Sequence, residues 1–126
     1  MSEKQVLVPD EGHPITVTPT PGRVVVTLGE RMVADTTSAL TLQEASYPAV
    51  QYVPLADVDA ALLRRTEHAT YCPYKGDAGY YSLVVDGTTH DNAVWTYERP
   101  YDAVAEIAGH VAFYPNVVDV RTYPSA

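Results

Sequence analysis

The chain has 126 residues, of which 46% are hydrophobic, and a formal net charge of −8 at pH 7. This length corresponds to a single domain over residues 1–126, large enough to bury a hydrophobic core. The acidic balance argues against sequence-independent binding to nucleic acid and against docking on an anionic membrane.

The cysteine and histidine content narrows the function further. One cysteine cannot form an internal disulfide, and four scattered histidines lack the spacing typical of metal ligands. We therefore expect no metal and no cofactor. No apolar run follows Met1 as in a signal peptide, and none is long enough to cross a bilayer, so a cytoplasmic protein is expected.

The first half of the chain is predicted to be mostly β. Residues 1–12 are largely polar and are expected to form a loose arm. Alternating or β-rich runs then predict strands over residues 15–20, 23–28, 31–35, 38–44 and 49–53. Gly29 at the first loop position suits a type II′ hairpin between the second and third of these strands.

Charged residues at the ends of these strands have two interpretations. Arg23 and Asp35 either hold a polar or anionic group of a ligand, or form a salt bridge at the rim of the domain. Glu44 is either an acid in the same pocket or a solvated strand end.

Two short helices are predicted from apolar residues at helical spacing. The first covers residues 56–63, with Asp57 and Asp59 in its first turn, where they suit the helix dipole. The second covers residues 100–109, with a proline at its start and a glycine after its end. The chain then ends in predicted strands over residues 110–114 and 116–121 and a loose tail over residues 122–126.

A β-hairpin around Asp86-Gly87 is the strongest structural signal in the sequence. The β-rich residues 79–85 and 88–98 flank this dipeptide. A two-residue loop then fixes the register of the hairpin, with Tyr80 opposite Ala93.

Aromatic residues are concentrated in the same hairpin and around it. All ten tyrosines follow Ala45, and strand alternation gathers Tyr80, Trp95 and Tyr97 on one face of the hairpin, beside Lys75. Such a face is typical of plain sheet packing, of a half-polar pocket that stacks on a ligand, or of a protein-contact patch.

Residues 70–81 hold the only cysteine and four of the tyrosines. Pro73 and two glycines predict a shaped turn over residues 72–79, between two strands. In such a turn Lys75 can lie beside Cys72 and favour its thiolate, which is the reactive form. The alternative is a buried, inert Cys72 and an exposed Lys75.

Three motifs carry a resemblance to a known family: Thr70-x-Cys72-Pro73-Tyr74-Lys75-Gly76-x-Ala78-x-Tyr80, Trp95-x-Tyr97-x-x-Pro100 and His110-Val111-Ala112-Phe113-Tyr114. From about Arg23 to Val120, the chain resembles the domain-of-unknown-function family 427, sometimes labelled nucleotidyltransferase-like. The resemblance implies a mainly β fold, a small two-sheet antiparallel β-tent or barrel-like domain, here with the two short helices. It also implies a pocket lined by the residues that the chain shares with the family. It implies no particular reaction, because none is established for the family.

Three functions are compatible with these features, and a small-molecule-binding domain is favoured. The residues expected around its pocket are Arg23, Tyr52, Tyr74, Lys75, Tyr80, Trp95, Tyr97 and His110. The second function is an enzyme with Cys72 as a nucleophile activated by Lys75, or a nucleotidyltransferase, which would need clustered carboxylates for Mg²⁺. The third is a protein-interaction module, which could also form a homodimer through its tyrosine surface.

Overall fold

The computed structural model describes residues 4–124, and most of them lie in strands. The ten strands are β1 (Ile15–Pro19), β2 (Arg23–Leu28), β3 (Arg31–Thr36), β4 (Leu40–Glu44), β5 (Val50–Pro54), β6 (Leu63–Cys72), β7 (Gly76–Val85), β8 (Thr88–Thr96), β9 (His110–Phe113) and β10 (Asp119–Tyr123). The helical residues form short 3₁₀ segments over Leu55–Asp57, Ala60–Leu62 and Asp102–Ile107.

The strands form two antiparallel sheets, and neither sheet closes into a barrel. One sheet has seven strands in the order β1-β4-β5-β9-β8-β7-β6, and the other has three strands in the order β10-β2-β3. This arrangement confirms the mainly β, two-sheet antiparallel fold that the sequence predicts.

Side chains of the seven-stranded sheet alternate between two hydrophobic cores, one on each face. On β9, Val111 and Phe113 belong to the first core and Ala112 to the second. The first, the intersheet core, packs this sheet against the valines of β2 and β3. The second, the inner core, consists of Leu42, Tyr52, Ala78, Tyr80, Tyr97, Val104, Ile107 and Ala112.

The seven-stranded sheet curls around the inner core. Ile15 and Val17 on the edge strand β1 and Cys72 on the opposite edge strand β6 all pack against this core. Register shifts interrupt the β6–β7 and β7–β8 pairs, and such bulges bend strands and increase their twist. The curl therefore brings together segments from opposite ends of the sheet.

The predicted hairpin around Asp86-Gly87 is confirmed. Val85 pairs with Thr88 across the turn, and the φ angles of Asp86 and Gly87 are 51° and 80°, as a type I′ turn requires. Gly29 in the turn between β2 and β3 has a φ of 61°, in agreement with the type II′ turn expected there.

The register predicted for the far end of this hairpin is wrong. A bulge on β8, where Asn92 has a φ of 52°, shifts the pairing, so that Tyr80 lies opposite Trp95 instead of Ala93. Because the shift is by two residues, Tyr80 and Trp95 remain on one face. Ala93 moves to the intersheet core instead.

The helix predicted over residues 56–63 is wrong, because two separate 3₁₀ turns take its place. Val58 between them is extended and forms a β-bridge with Ala34 of β3. The neighbouring N–H of Asp59 donates to the carbonyl of Val33 at 2.9 Å. Pairing with β3 thus overrides the helical spacing of the apolar residues.

The helix predicted over residues 100–109 is shorter and has 3₁₀ geometry, over Asp102–Ile107. A non-helical φ of −129° at Val104 divides it into two turns. Val104 and Ile107 are both fully buried and close one side of the inner core. Within residues 4–124, no helix has the length and apolar character that a membrane crossing needs.

The segment before β1 lies against the turn between β6 and β7. The N–H of Leu7 donates to the carbonyl of Pro73 at 2.9 Å. At the other end, β10 continues to Tyr123, into the tail that was expected to be loose. Residues 1–3 and 125–126 of the predicted loose termini lie outside the described residues.

We predict that Gly87→Ala lowers the free energy of unfolding by about 1 kcal/mol, because an L side chain resists a φ of 80°. A Cβ at this position would meet no atom within 4 Å, so the effect isolates backbone strain. Urea unfolding followed by circular dichroism measures it.

Gly12→Ala is the matched control, because Gly12 has no positive φ and a Cβ there would make only an ordinary contact at 3.5 Å. Its free energy of unfolding should change by less than about 0.5 kcal/mol. Equal effects of the two substitutions would contradict a strained turn at Gly87.

Candidate functional site

A cavity of about 200 Å³ lies beside the inner core, inside the curl of the seven-stranded sheet. Leu42, Pro48 and Val50 give it an apolar wall, and Glu44 and Lys75 are its charged residues. Six aromatic side chains complete the lining: Tyr47, Tyr52, Tyr80, Trp95, Tyr97 and Tyr114.

Lys75 and Glu44 form an ion pair at this cavity. The distance from Nζ to Oε1 is 2.5 Å, and the two side chains are only 11% and 17% exposed. Gly76, with a φ of 111°, allows the turn that holds Lys75. The ammonium also lies 5.9 Å from the centre of the Tyr97 ring, within the range of a cation–π interaction.

His13 makes a second contact with Glu44. Its Nε2 lies 2.7 Å from Oε2 of Glu44, and its ring stacks on Tyr74 with 4.2 Å between the ring centres. Burial raises the pKa of Glu44, but hydrogen bonds to Lys75 and His13, together with their charges, outweigh burial and hold this pKa below its usual value. Glu44 is therefore ionised at neutral pH, with both oxygens engaged.

The hydroxyls of Tyr52 and Tyr97 are donors that have no acceptor among residues 4–124. Trp95 Nε1–H donates to the Tyr52 oxygen at 3.1 Å, and the Tyr52 hydrogen has no acceptor in the described part of the chain. Tyr97 is 7% exposed, and within residues 4–124 its hydroxyl has no hydrogen-bond partner. In the described part of the chain, every fully enclosed polar side-chain atom has a hydrogen-bond partner. Since the Tyr97 oxygen has none, it must open onto accessible space.

Burial keeps both of these phenols protonated. It raises the pKa of Tyr52 to about 12 and the pKa of Tyr97 above its usual value as well. Both side chains line the cavity. At neutral pH each therefore offers an O–H donor to whatever occupies it.

Aromatic rings surround the mouth of the cavity. The ring centres of Trp95 and Tyr114 are 4.7 Å apart. Tyr47 and Tyr114 line the cavity and are also among the exposed large side chains of the domain. These two tyrosines therefore bring aromatic rings to the side of the cavity that faces solvent.

The structure brings together five of the residues predicted to surround a pocket, namely Tyr52, Lys75, Tyr80, Trp95 and Tyr97. It places the other three ligand-binding candidates elsewhere. Arg23 lies on the three-stranded sheet in an ion pair of 2.5 Å with Asp35, which is the rim salt bridge that the sequence left open. His110 bonds a backbone carbonyl through Nδ1, and Tyr74 lies outside the lining, stacked on His13.

Cys72 does not share the cavity with Lys75. It is partly buried against the inner core and lies outside the cavity lining. The Lys75 ammonium is bonded to Glu44, and among residues 4–124 no hydrogen bond joins it to the Cys72 sulfur. The role of Cys72 therefore stays a prediction, and in this structure Lys75 is paired with Glu44.

The carboxylates of Asp57 and Asp59 are engaged in local hydrogen bonds. Thr36 donates its hydroxyl to Asp57 at 2.7 Å, and Asp59 accepts from the N–H of Ala61 at 3.1 Å. Among the described residues, no three His, Cys, Asp or Glu side chains lie close enough together to hold a metal ion.

Sequence reasoning missed part of the site. It did not decide between the two interpretations of Glu44, and it did not place His13, Tyr47 or Tyr114 in the site. Glu44 is 31 residues from Lys75 along the chain, and only the curl of the sheet makes them neighbours. Tyr114 could have been found, because it ends the His-Val-Ala-Phe-Tyr motif that contributed to the family resemblance.

We predict that Glu44→Gln lowers the free energy of unfolding by about 2 kcal/mol at pH 7, because Lys75 then loses its anionic partner in a mostly shielded site. The pKa of Glu44 is lower in the folded chain than in the unfolded one, so its contribution is complete at neutral pH and disappears as the pH falls through the folded pKa. Urea unfolding at several pH values should show the difference from wild type shrinking below about pH 4.

Glu98→Gln provides the control, because Glu98 pairs with Arg65 but its side chain is 62% exposed. Removing this charge should change the free energy of unfolding by less than about 0.5 kcal/mol at pH 7. A Glu44→Gln protein as stable as wild type at pH 7 would show that the ion pair contributes nothing.

The comparisons with known proteins identify one family. A search of curated proteins gives no match to the chain. The model of a family described as a domain of unknown function, DUF427, matches residues 16–123. This range contains nearly all of both sheets and every residue that lines the cavity. The chain therefore belongs to the DUF427 family.

Proposed function

We propose that this domain binds a small organic molecule in the cavity between the aromatic residues and the Lys75–Glu44 ion pair. The observation that carries the proposal is Tyr97, a residue that is only 7% exposed and lines the cavity, and whose hydroxyl has no partner among the described residues. The hydroxyl opens onto accessible space, so its hydrogen is free to bond to a molecule in the cavity. Phenylalanine would fill the same space, so packing alone does not account for this hydroxyl.

The size of the cavity sets the size of the ligand. A volume of about 200 Å³ is below the roughly 300–1,000 Å³ of sites for drug-sized ligands. One or two fused rings fit such a space, whereas a nucleoside triphosphate does not. The size therefore argues against a nucleotide substrate held wholly within this cavity.

The lining has the composition expected of a binding site. Small-molecule sites are mostly apolar and aromatic, with a few fixed polar groups that orient the ligand. Here the hydrogen bond from Trp95 fixes Tyr52, and Glu44 fixes Lys75. Polar groups held in this way lose little freedom when a ligand binds.

We predict that a library of one- and two-ring compounds, including uncharged, anionic and cationic members, contains compounds that bind this cavity. Trp95 is the only tryptophan, so its indole N–H gives a single resonance in a ¹H–¹⁵N spectrum. Binding should shift this resonance saturably, at micromolar to millimolar concentration for compounds of this size. Val50→Phe, which puts a ring into the cavity, should weaken binding at least tenfold.

Val120→Phe is the matched control, because Val120 is a partly exposed valine on β10, in the other sheet. This variant should bind like wild type, and circular dichroism should show that both variants are folded. If no compound of any charge shifts the Trp95 resonance of the folded domain, the proposed function is wrong.

A further inference from the structure

We infer that the ligand is an uncharged, planar ring compound with a carbonyl oxygen that accepts hydrogen bonds from Tyr97 and Tyr52. This inference rests on the proposed function, because it names the chemical class that the same cavity would take. It follows from three properties of the lining: its hydrogen-bond donors, its charge and its ring faces.

The lining has a surplus of donors. Tyr97 and Tyr52 each have an O–H hydrogen with no acceptor among residues 4–124, while the Tyr52 oxygen already accepts from Trp95. Lys75 has three N–H donors, and among the described residues Glu44 is its one side-chain acceptor. A ligand that satisfies this site therefore has to supply acceptor atoms.

The strongest acceptor in the lining is already in use. Both oxygens of Glu44 are engaged, one by Lys75 and the other by His13. A ligand rich in donors would have to share these oxygens with Lys75 and His13, because within residues 4–124 Glu44 is the only carboxylate in the cavity lining. The site thus disfavours amines and polyols relative to carbonyl compounds.

The charges of the lining favour an uncharged ligand. Lys75 and Glu44 are 2.5 Å apart and neutralise each other. A carboxylate or an ammonium in the cavity would lose its hydration and meet no net opposite charge, which makes its burial costly. A carbonyl oxygen accepts the two phenolic hydrogens without adding a charge.

The ring faces favour a planar ligand. Trp95 and Tyr114 lie with their ring centres 4.7 Å apart at the mouth, and Tyr97 and Tyr52 form part of the interior wall. Aromatic side chains pair best with other rings, in offset-stacked or edge-to-face arrangements. A flat bicyclic ketone, lactam or imide matches this surface and the volume of about 200 Å³.

Four compounds on one skeleton test the inference: 1-indanone, indane, indane-1-carboxylate and 1-aminoindane. In that order, the compounds carry a carbonyl group, no polar atom, a negative charge and a positive charge, and they are nearly equal in size. Titrations monitored by the Trp95 indole resonance should show that 1-indanone binds roughly tenfold more tightly than each of the others. Tyr97→Phe should weaken the binding of 1-indanone roughly threefold to tenfold, which is the usual effect of one lost hydrogen bond. The same substitution should leave the binding of indane unchanged.

Tyr123→Phe is the control, because Tyr123 is exposed on β10, away from the cavity. This variant should bind all four compounds like wild type. Tyr97→Phe should also be at least as stable to urea as wild type, since the hydroxyl has no protein partner to lose. A loss of stability would show that this hydroxyl has a structural role, and would overturn the inference.

The failures of the two proposals are distinguishable. If the carboxylate or the amine binds more tightly than 1-indanone, or if all four compounds bind equally, the inference of a carbonyl ligand is wrong. The proposal that the cavity binds small molecules then still stands. If none of the four binds, the carbonyl class is overturned as well. The library screen with Val50→Phe then decides whether the cavity binds another class of compound or none.

Discussion

The shape of the site depends on the contact between Glu44 and Lys75 across the curl of the seven-stranded sheet. Glu44 ends the second strand in the sheet order, and Lys75 lies in the turn between the last two. His13 stacks on Tyr74 of the same turn and also contacts Glu44, so it joins the same two parts of the sheet. Exposed ion pairs contribute little to stability, but this one is mostly shielded, and the loss of either partner would leave an uncompensated charge.

These side-chain contacts take the place of backbone pairing. If β1 and β6 were hydrogen-bonded to each other, the sheet would be a closed barrel of seven strands, and side chains fill the interior of barrels of about this size. In the part of the chain that the structure describes, β1 and β6 remain unpaired edges, and the contact of Glu44 with Lys75 connects β4 to the turn between β6 and β7. The cavity is the space that this incomplete closure leaves. Its lining holds both the accessible hydroxyl of Tyr97 and the shielded ion pair of Lys75 with Glu44.

Local signals predicted most of the fold, and contacts between distant residues account for the errors. The dipeptide Asp86-Gly87 fixes its hairpin because both positive φ angles are properties of those residues. The bulge at Asn92 and the bridge from Val58 to β3 depend on partners that a local pattern does not contain. The same limit applies to the site. Strand alternation placed Tyr80 and Trp95 on one face, but the approach of Glu44 to Lys75 needs the curl of the whole sheet.

The pairing of β2 with β10 has a consequence for biosynthesis. β2 is the central strand of the three-stranded sheet, and its partner β10 ends at Tyr123, opposite Arg23. While a ribosome is still synthesising the chain, β2 has only β3 beside it, and the intersheet core lacks Val118. The valine-rich β2 thus keeps an open edge until translation of the domain is nearly finished. Such an edge is a template for wrong strand pairing, so late pairing by β10 is what removes this risk from the domain.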